Sequence, residues 1–387
     1  MLALTLPTPA SSQFNRVSAV RIFSAPYDYY HDRHQAYYIA GLREALAQTD
    51  GALKICSLQR FPLVLSSLRR VRSSYRLSGL MDRGPGNVLD HVAAAMGGSI
   101  SPPFSSFHSL VGQYEFTIGA RRVKLFLDAQ ARGEIPEDAN LENCDVYAKS
   151  NYRYDVLYPS PVVPLCTGNP LILPHLSWLR NLRDRPLDYD LCFVVRVWGG
   201  RHEDDGVEHN LRLLEAVNKA RCRKRILAYL VAGDVDQQES RLRAQGIPTT
   251  REPVSLRRLW EISASARMNL IRLGMHNCIP WRFVDLLAMG ACPVFDQFPQ
   301  TQWAAPLDEG IHYLQLGAET SPDEPLASDE AYEQIPARIE EYVRHTELTD
   351  AVRIAAAEYF DRHACPAAVG RRLLRYATEA ALADCPR

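Results

Sequence analysis

Residues 276–296, HNCIPWRFVDLLAMGACPVFD, place two charged side chains in a short and otherwise apolar helical pattern. Pro280 suits the start of a helix, where its missing N–H would have no partner, and Gly290 suits the left-handed end of one. Arg282 and Asp285 lie one turn apart on one face. A helix N-terminus with an arginine favours a phosphate, and Asp285 could accept hydrogen bonds from a sugar diol. An internal Arg–Asp pair explains the same pattern equally well.

Two further arginines flank the end of a strand pattern at residues 189–198. Arg196 lies inside the apolar run, where an unpartnered charge would be costly, so it needs a ligand or an acid as partner. Arg201 follows two glycines, which let the backbone approach a diphosphate while the side chain neutralises it. A surface salt bridge accounts for Arg201 as well.

A third polar cluster, residues 27–35 (YDYYHDRHQ), follows the first predicted strand. Asp32 or His31 could act near neutral pH as a general base that deprotonates a hydroxyl. Tyr30 and its tyrosine neighbours suit stacking on a ring, and His34 could contact the same molecule. In the alternative interpretation this segment is a solvated loop and Asp32 caps the next helix, predicted over residues 35–47.

Strands and helices alternate along the chain, which is typical of a doubly wound α/β protein. A run with five prolines, residues 158–174, is predicted to link two domains. The boundaries that follow are 1–165, 166–350 and a C-terminal helical segment at 351–387. The strands are predicted at residues 18–25, 53–58, 122–128, 145–149, 189–198, 225–232, 268–273 and 312–316.

Composition excludes several classes of protein. A length of 387 residues predicts two domains of roughly 150 to 200 residues. A net charge of −1 favours neither nucleic acid nor anionic membranes as partners. The apolar runs are strand-sized, so no transmembrane helix is predicted, and the N-terminus lacks the features of a signal peptide. Nine cysteines without zinc or disulfide spacing indicate a reducing cytoplasm and no metal centre.

Residues 276–296 resemble the nucleotide-sugar motif of GT-B fold glycosyltransferases, including the exostosin-like and CgeB-like groups. Asp285 stands at the second acidic position of that motif, before Leu-Leu-Ala-Met-Gly-Ala-Cys-Pro-Val. Asn277 stands where retaining families have their first acid. The resemblance implies a GT-B, α/β fold of two Rossmann-like doubly wound domains facing a cleft. It also implies that the last helices can cross back onto the N-terminal domain.

The resemblance further implies a glycosyltransferase that moves a sugar from a nucleotide-diphosphate donor to an acceptor hydroxyl, with inversion and without a metal. The donor is a co-substrate, no cofactor is expected, and the acceptor is a small molecule, a glycan or a protein. Two alternatives stay open: an epimerase of the same fold and a non-catalytic nucleotide-binding or scaffold protein. The expected donor residues are Arg196, Arg201, Val254, Asn277, Arg282 and Asp285; Asp32 and His31 are the catalytic candidates; Tyr30 and His34 are the acceptor candidates.

Overall fold

Two six-stranded sheets, one in each half of the chain, organise the molecule. The structure is a computed structural model, which describes residues 17–24, 29–48, 51–57, 111–136, 141–198, 203–321 and 324–383. The α/β class predicted from the sequence, with one sheet in each half, is confirmed. Within the described ranges, no helix is long and apolar enough to cross a membrane.

The N-terminal sheet is mixed, with the strand order β2-β1-β3-β4-β5-β6. Strand β3 runs antiparallel to both β1 and β4, whereas the other pairs are parallel. This sheet therefore departs from the doubly wound pattern that the sequence predicted. Its strands are β1 (Val17–Ser24), β2 (Ala52–Ser57), β3 (Val111–Ile118), β4 (Arg121–Asp128), β5 (Val146–Lys149) and β6 (Val162–Pro164).

Two of these strands were missed in the sequence. A two-residue connection containing Gly119, at φ +61°, joins β3 to β4, and a glycine between two strand-like runs is a recognised hairpin signal. Strand β6 lies inside the proline-rich run predicted as linker, where it pairs with β5. The prolines do not prevent this pairing because β6 is an edge strand.

The C-terminal sheet is parallel throughout, in the order β12-β11-β10-β7-β8-β9. Numbered from its first strand, this is the 3-2-1-4-5-6 order of a dinucleotide-binding sheet. The order reverses between β7 and β10, so a crevice is expected at the carboxyl ends of these two strands. The strands are β7 (Tyr189–Val197), β8 (Lys224–Leu230), β9 (Thr249–Thr250), β10 (Ala266–Ile271), β11 (Cys292–Phe295) and β12 (Leu314–Gln315).

Helices cover both sheets, and one of them starts earlier than the sequence predicts. Helix α1 begins at Tyr29 rather than at residue 35, so the predicted loop 27–35 is helical over most of its length and Asp32 does not cap the helix. The helices are α1 (Tyr29–Leu46), α2 (Leu176–Asn181), α3 (Glu203–Lys219), α4 (Val235–Ala244), α5 (Leu256–Ala264), α6 (Trp281–Met289), α7 (Asp329–Arg344), α8 (Thr346–Tyr359) and α9 (Pro366–Ala383).

The last helix, α9, packs against α1 beside the N-terminal sheet. The two helices touch through Gly41 and Gly370, where a Cβ atom on either residue would overlap backbone of the other helix. The Tyr37 hydroxyl donates to the carbonyl of Ala364 at 2.7 Å, just before α9 begins. One buried apolar cluster continues from β1, β3 and β4 through α1 and α9 to α8 and α6. The two halves are thus joined by shared core as well as by the connecting chain.

We predict that Gly41→Ala and Gly370→Ala each destabilise the protein by about 2 kcal/mol or more. In an open helix Gly→Ala stabilises by roughly 1 kcal/mol, but here the added methyl group must push two backbones apart. Urea unfolding measures the change in the free energy of unfolding. Glu44→Ala, at an exposed position of α1, is the control and should stay within about 0.5 kcal/mol of wild type. Stabilisation in either glycine variant would contradict the close crossing.

Candidate functional site

A cavity of about 560 Å³ opens at the carboxyl ends of β7 and β10, where the strand order reverses. Its floor and most of its walls come from the C-terminal half, including the apolar residues Phe193 and Leu270. Glu134 and Arg153 of the N-terminal half complete the lining. The cavity therefore lies between the two halves, and its position is the one at which parallel α/β sheets bind ligands.

The N-terminal wall is held in place by polar contacts across the interface. Arg153 donates from Nη2 to Oε1 of Gln300 at 2.7 Å, and its backbone forms a bridge with Thr301. The Thr301 hydroxyl donates to Oδ1 of the buried Asn151 at 2.5 Å. Because these bonds join opposite sides of the cleft, they set the distance between its walls.

Three arginines line the cavity, and the first is Arg196 near the end of β7. Its side chain is exposed, and the guanidinium carbon lies 5.7 Å from the centre of the Trp198 ring. The expectation that Arg196 is buried inside the strand is therefore wrong. The side chain needs no buried partner because it lies in the open wall of the cavity, stacked on an aromatic ring.

The second arginine is Arg282, at the start of α6, as the motif predicted. Nη1 donates to the carbonyl of Val194 at 3.2 Å and Nη2 donates to the Ser263 hydroxyl at 3.1 Å. Burial lowers the pKa of Arg282 from its ordinary value. This arginine touches the cavity, but its two terminal nitrogens hold α6 against β7 and α5.

The third arginine, Arg272, was not identified from the sequence. It follows β10 directly and lines the cavity, with Nη1 donating to the carbonyls of Trp198 at 3.3 Å and Gly206 at 3.4 Å. Burial lowers the pKa of Arg272, and the nearby carboxylate of Asp296 opposes that shift. The available signal was position: a charged residue immediately after an apolar strand lies at the edge of the sheet where ligands bind.

Asp285 does not lie on the cavity wall. It is 3% exposed, its Oδ1 accepts from the Asn169 amide at 2.5 Å, and its Oδ2 accepts from the Trp260 indole N–H at 2.8 Å. Burial raises the pKa of Asp285 from 3.8 to about 7, although these two hydrogen bonds act in the opposite direction. Both oxygens are bound within the protein, so this geometry does not support the contact to a sugar diol expected from the motif. Instead, Asp285 joins α6 to α5 and to the segment between the two sheets.

The loop before α6 is strained where it meets the cavity. His276 and Asn277 both adopt left-handed backbone angles, with φ of 71° and 54°. Such residues cost of order 1–3 kcal/mol each and concentrate at functional sites, and asparagine tolerates this conformation better than most residues. Pro280 ends the loop as the N-cap residue of α6, lines the cavity and makes no side-chain capping hydrogen bond.

The remaining predicted residues divide into two groups. Val254 and Asn277 line the cavity. Arg201 lies outside the described residues. Four candidates for catalysis and acceptor binding fall in the first turns of α1, where the backbone is described and the side chains are not: Tyr30, His31, Asp32 and His34.

Across the described ranges, no group of three or more His, Cys, Asp or Glu side chains is arranged to hold a metal ion.

Comparison with known proteins gives similarity in structure alone. No protein-family model matches the sequence, and no curated protein matches it either. A glycosyltransferase from Rickettsia africae covers 95% of this chain and 99% of its own, at 10% identity and a TM-score of 0.47. HepE from Anabaena, in complex with UDP and glucose, covers 93% and 100%, at 9% identity and a TM-score of 0.44. A putative UDP-N-acetylglucosamine 2-epimerase from Listeria monocytogenes covers 95% and 98%, at 12% identity and a TM-score of 0.47.

We predict that Asp285→Asn flattens the dependence of stability on pH. The folded protein holds the Asp285 proton to higher pH than the unfolded chain, so it binds more protons between about pH 4 and pH 7. The stability contributed by this group is full below that window and is lost as pH rises through it. At about 1.4 kcal/mol for each pKa unit, the loss is at most ~4 kcal/mol.

The measurement is the free energy of unfolding in urea at a series of pH values. Wild type should lose stability across the window relative to Asp285→Asn, since a carboxamide does not titrate. Asp184→Asn changes an exposed aspartate and should follow the wild-type profile. Parallel profiles for wild type and Asp285→Asn would rule out the raised pKa.

Proposed function

We propose that this protein is a glycosyltransferase that transfers a sugar from a nucleotide-diphosphate donor to an acceptor hydroxyl. The observation that carries the proposal is the cavity at the switch point of the C-terminal sheet, with Arg196, Arg272 and Arg282 on its wall. A volume of about 560 Å³ is within the range of pockets that hold small organic ligands. Three guanidinium groups in a partly desolvated site favour a ligand with more than one negative charge.

The chemistry of such a transfer suits a cationic site. The bond between the sugar and the diphosphate breaks with negative charge developing on the leaving group, and fixed cations stabilise that charge without reorganisation. The dipole of α6, whose N-terminus lies at Pro280, adds a partial positive charge on the same wall. We therefore propose transfer without a divalent cation, with arginine side chains in the role that a metal has in other enzymes.

For the attack of the acceptor on the sugar we propose a single displacement, which inverts the configuration of the anomeric carbon. A base removes the proton of the acceptor hydroxyl while its oxygen attacks the anomeric carbon from the face opposite the diphosphate. Asp32 and His31 are the candidates from the sequence, with Tyr30 and His34 as acceptor contacts. Asn277 supports inversion, since retaining relatives of the motif have an acid at that position.

The first test is thermal unfolding with UDP, GDP, dTDP, ADP and CMP, each in EDTA and in magnesium. A ligand at about 100 times its Kd adds ~2.7 kcal/mol, which raises the Tm by a few degrees. We expect one nucleoside diphosphate to do so in EDTA, and Arg196→Met to reduce the shift. Arg225→Met, an exposed arginine of β8 outside the cavity lining, should keep it. No shift with any nucleotide would refute the donor assignment.

The second test is turnover with donor sugars of the nucleotide that stabilises the protein. We expect release of the nucleoside diphosphate in EDTA, and a glycoside product whose anomeric configuration, read by proton NMR, is opposite to that of the donor. Asp32→Asn and His31→Gln identify the base, since loss of the base should lower kcat by about 10²- to 10⁴-fold. Binding without turnover over an acceptor panel would favour the non-catalytic alternative, and retention would contradict the displacement.

A further inference from the structure

We propose that Arg272 is the principal binding residue for the diphosphate group in the cavity, and that the buried residues Asp296, His209 and Tyr332 position it. The identity of the anion as a donor diphosphate rests on the proposed function above, whereas the presence of an anion site at Arg272 does not. The sequence analysis assigned no role to any of these four residues, and they come from four different segments of the chain.

Arg272 does not use all of its hydrogen-bond donors within the protein. Its Nη1 donates to two backbone carbonyls, of Trp198 and Gly206, at the long distances of 3.3 and 3.4 Å. Over the part of the chain that the structure describes, Nη2 has no hydrogen-bond acceptor, and Nε is buried without one. Leaving donors of a buried charged group unpaired is costly, so the side chain is prepared for an anionic acceptor that enters the cavity.

Arg282 provides the contrast that makes this assignment specific. Both of its terminal nitrogens already donate to the protein, to Val194 and to Ser263. Only its Nε lacks a partner among the described residues. A contact with phosphate oxygens needs a terminal N–H group without a partner, which Arg272 has at Nη2 and Arg282 does not have. Arg282, the arginine predicted from the motif, therefore holds α6 in place, and Arg272 is left to bind the ligand.

A buried carboxylate, that of Asp296, lies beside Arg272. Ile271 of β10 pairs with Phe295 of β11 in parallel register, so the next residues, Arg272 and Asp296, are neighbours at the same edge of the sheet. Asp296 is fully buried, and its Oδ2 lies 4.0 Å from Nε of Arg272. A buried carboxylate at this distance favours the charged form of the guanidinium, which burial alone would disfavour.

A series of hydrogen bonds orients Asp296. The Ala327 N–H donates to the Tyr332 hydroxyl oxygen at 3.3 Å, and that hydroxyl lies 2.5 Å from Nδ1 of His209. Nε2 of His209 lies 3.3 Å from Oδ2 of Asp296, and the Leu273 N–H donates to Oδ1 at 3.1 Å. With the Tyr332 hydroxyl donating to Nδ1, the N–H of His209 that faces Asp296 is on Nε2.

Tyr332, His209 and Asp296 then all have hydrogen-bond partners, and no second cation is needed. The Asp296 carboxylate faces Arg272, and it cannot rotate because both of its oxygens are bound. Burial raises the pKa of Tyr332 to about 12, so its hydroxyl keeps the proton that it donates to His209. A binding group supported in this way by a rigid buried network meets a ligand with little loss of conformational freedom.

The test measures binding of inorganic pyrophosphate, of the stabilising nucleoside diphosphate and of the matching nucleoside by calorimetry. Arg272→Met should weaken both diphosphates by roughly 10- to 100-fold and leave the nucleoside unchanged. Arg267→Met is the matched control, because Arg267 lies on β10, is 22% exposed against 27% for Arg272, and also faces an aspartate. It should bind all three ligands as wild type does.

Asp296→Asn and His209→Gln test the positioning role. Both should weaken the two diphosphates by a smaller factor than Arg272→Met while the nucleoside affinity stays unchanged, a difference that general loss of structure would not produce. Should Arg272→Met fail to fold, Arg272→Lys replaces it; a lysine keeps the charge but cannot hold the backbone carbonyls and reach the ligand at the same time, so an intermediate loss is expected.

The outcomes separate this inference from the proposed function. Wild-type affinity for pyrophosphate and nucleoside diphosphate in a folded Arg272 variant would overturn the inference and leave the function standing. Pyrophosphate binding that depends on Arg272, without binding of any nucleotide, would support the anion site and refute the function. If wild type binds neither pyrophosphate nor a nucleoside diphosphate at millimolar concentration, both are refuted.

Discussion

The carboxylate of Asp285 is the contact that connects the parts of this molecule. From inside α6 it accepts from Trp260 of α5 and from Asn169, which lies between the two sheets. These bonds bring the connecting chain against the C-terminal half, and Arg282, one turn earlier, fixes α6 to β7. Burial at this point is costly for a charged carboxylate, which is why the pKa of Asp285 is raised to about 7. The orientation of α6 therefore depends on one buried group that holds three segments together.

The cavity follows from the order of the strands rather than from any one motif. Strands β7 and β10 are neighbours although two strands separate them in sequence, so the residues at their carboxyl ends meet. Arg196 and Arg272 come together in this way. The N-terminal wall is set independently by the bonds of Arg153 and Asn151 across the interface. The result is a cavity between the two halves with three arginines on its wall.

The two halves also share one apolar core, in which α9 returns from the C-terminal end of the chain to α1. The glycine crossing at Gly41 and Gly370 allows the two backbones to approach closely. Such a connection limits how far the halves can separate.

The sequence by itself determined the alternation of strands and helices, the Pro280–Gly290 limits of α6 and the presence of a cationic site beside it. These features depend on local backbone preference and on hydrophobic period, which neighbouring residues encode. Only the tertiary structure decided the role of each charged residue. Asp285 is buried and connects three segments, and Arg282 makes structural contacts. Arg272 and Asp296 form a pair because strands distant in sequence meet at one sheet edge. Similarly, the antiparallel β3 depends on pairing with β1, across residues far apart in the chain, and hydrophobic period alone does not specify that pairing.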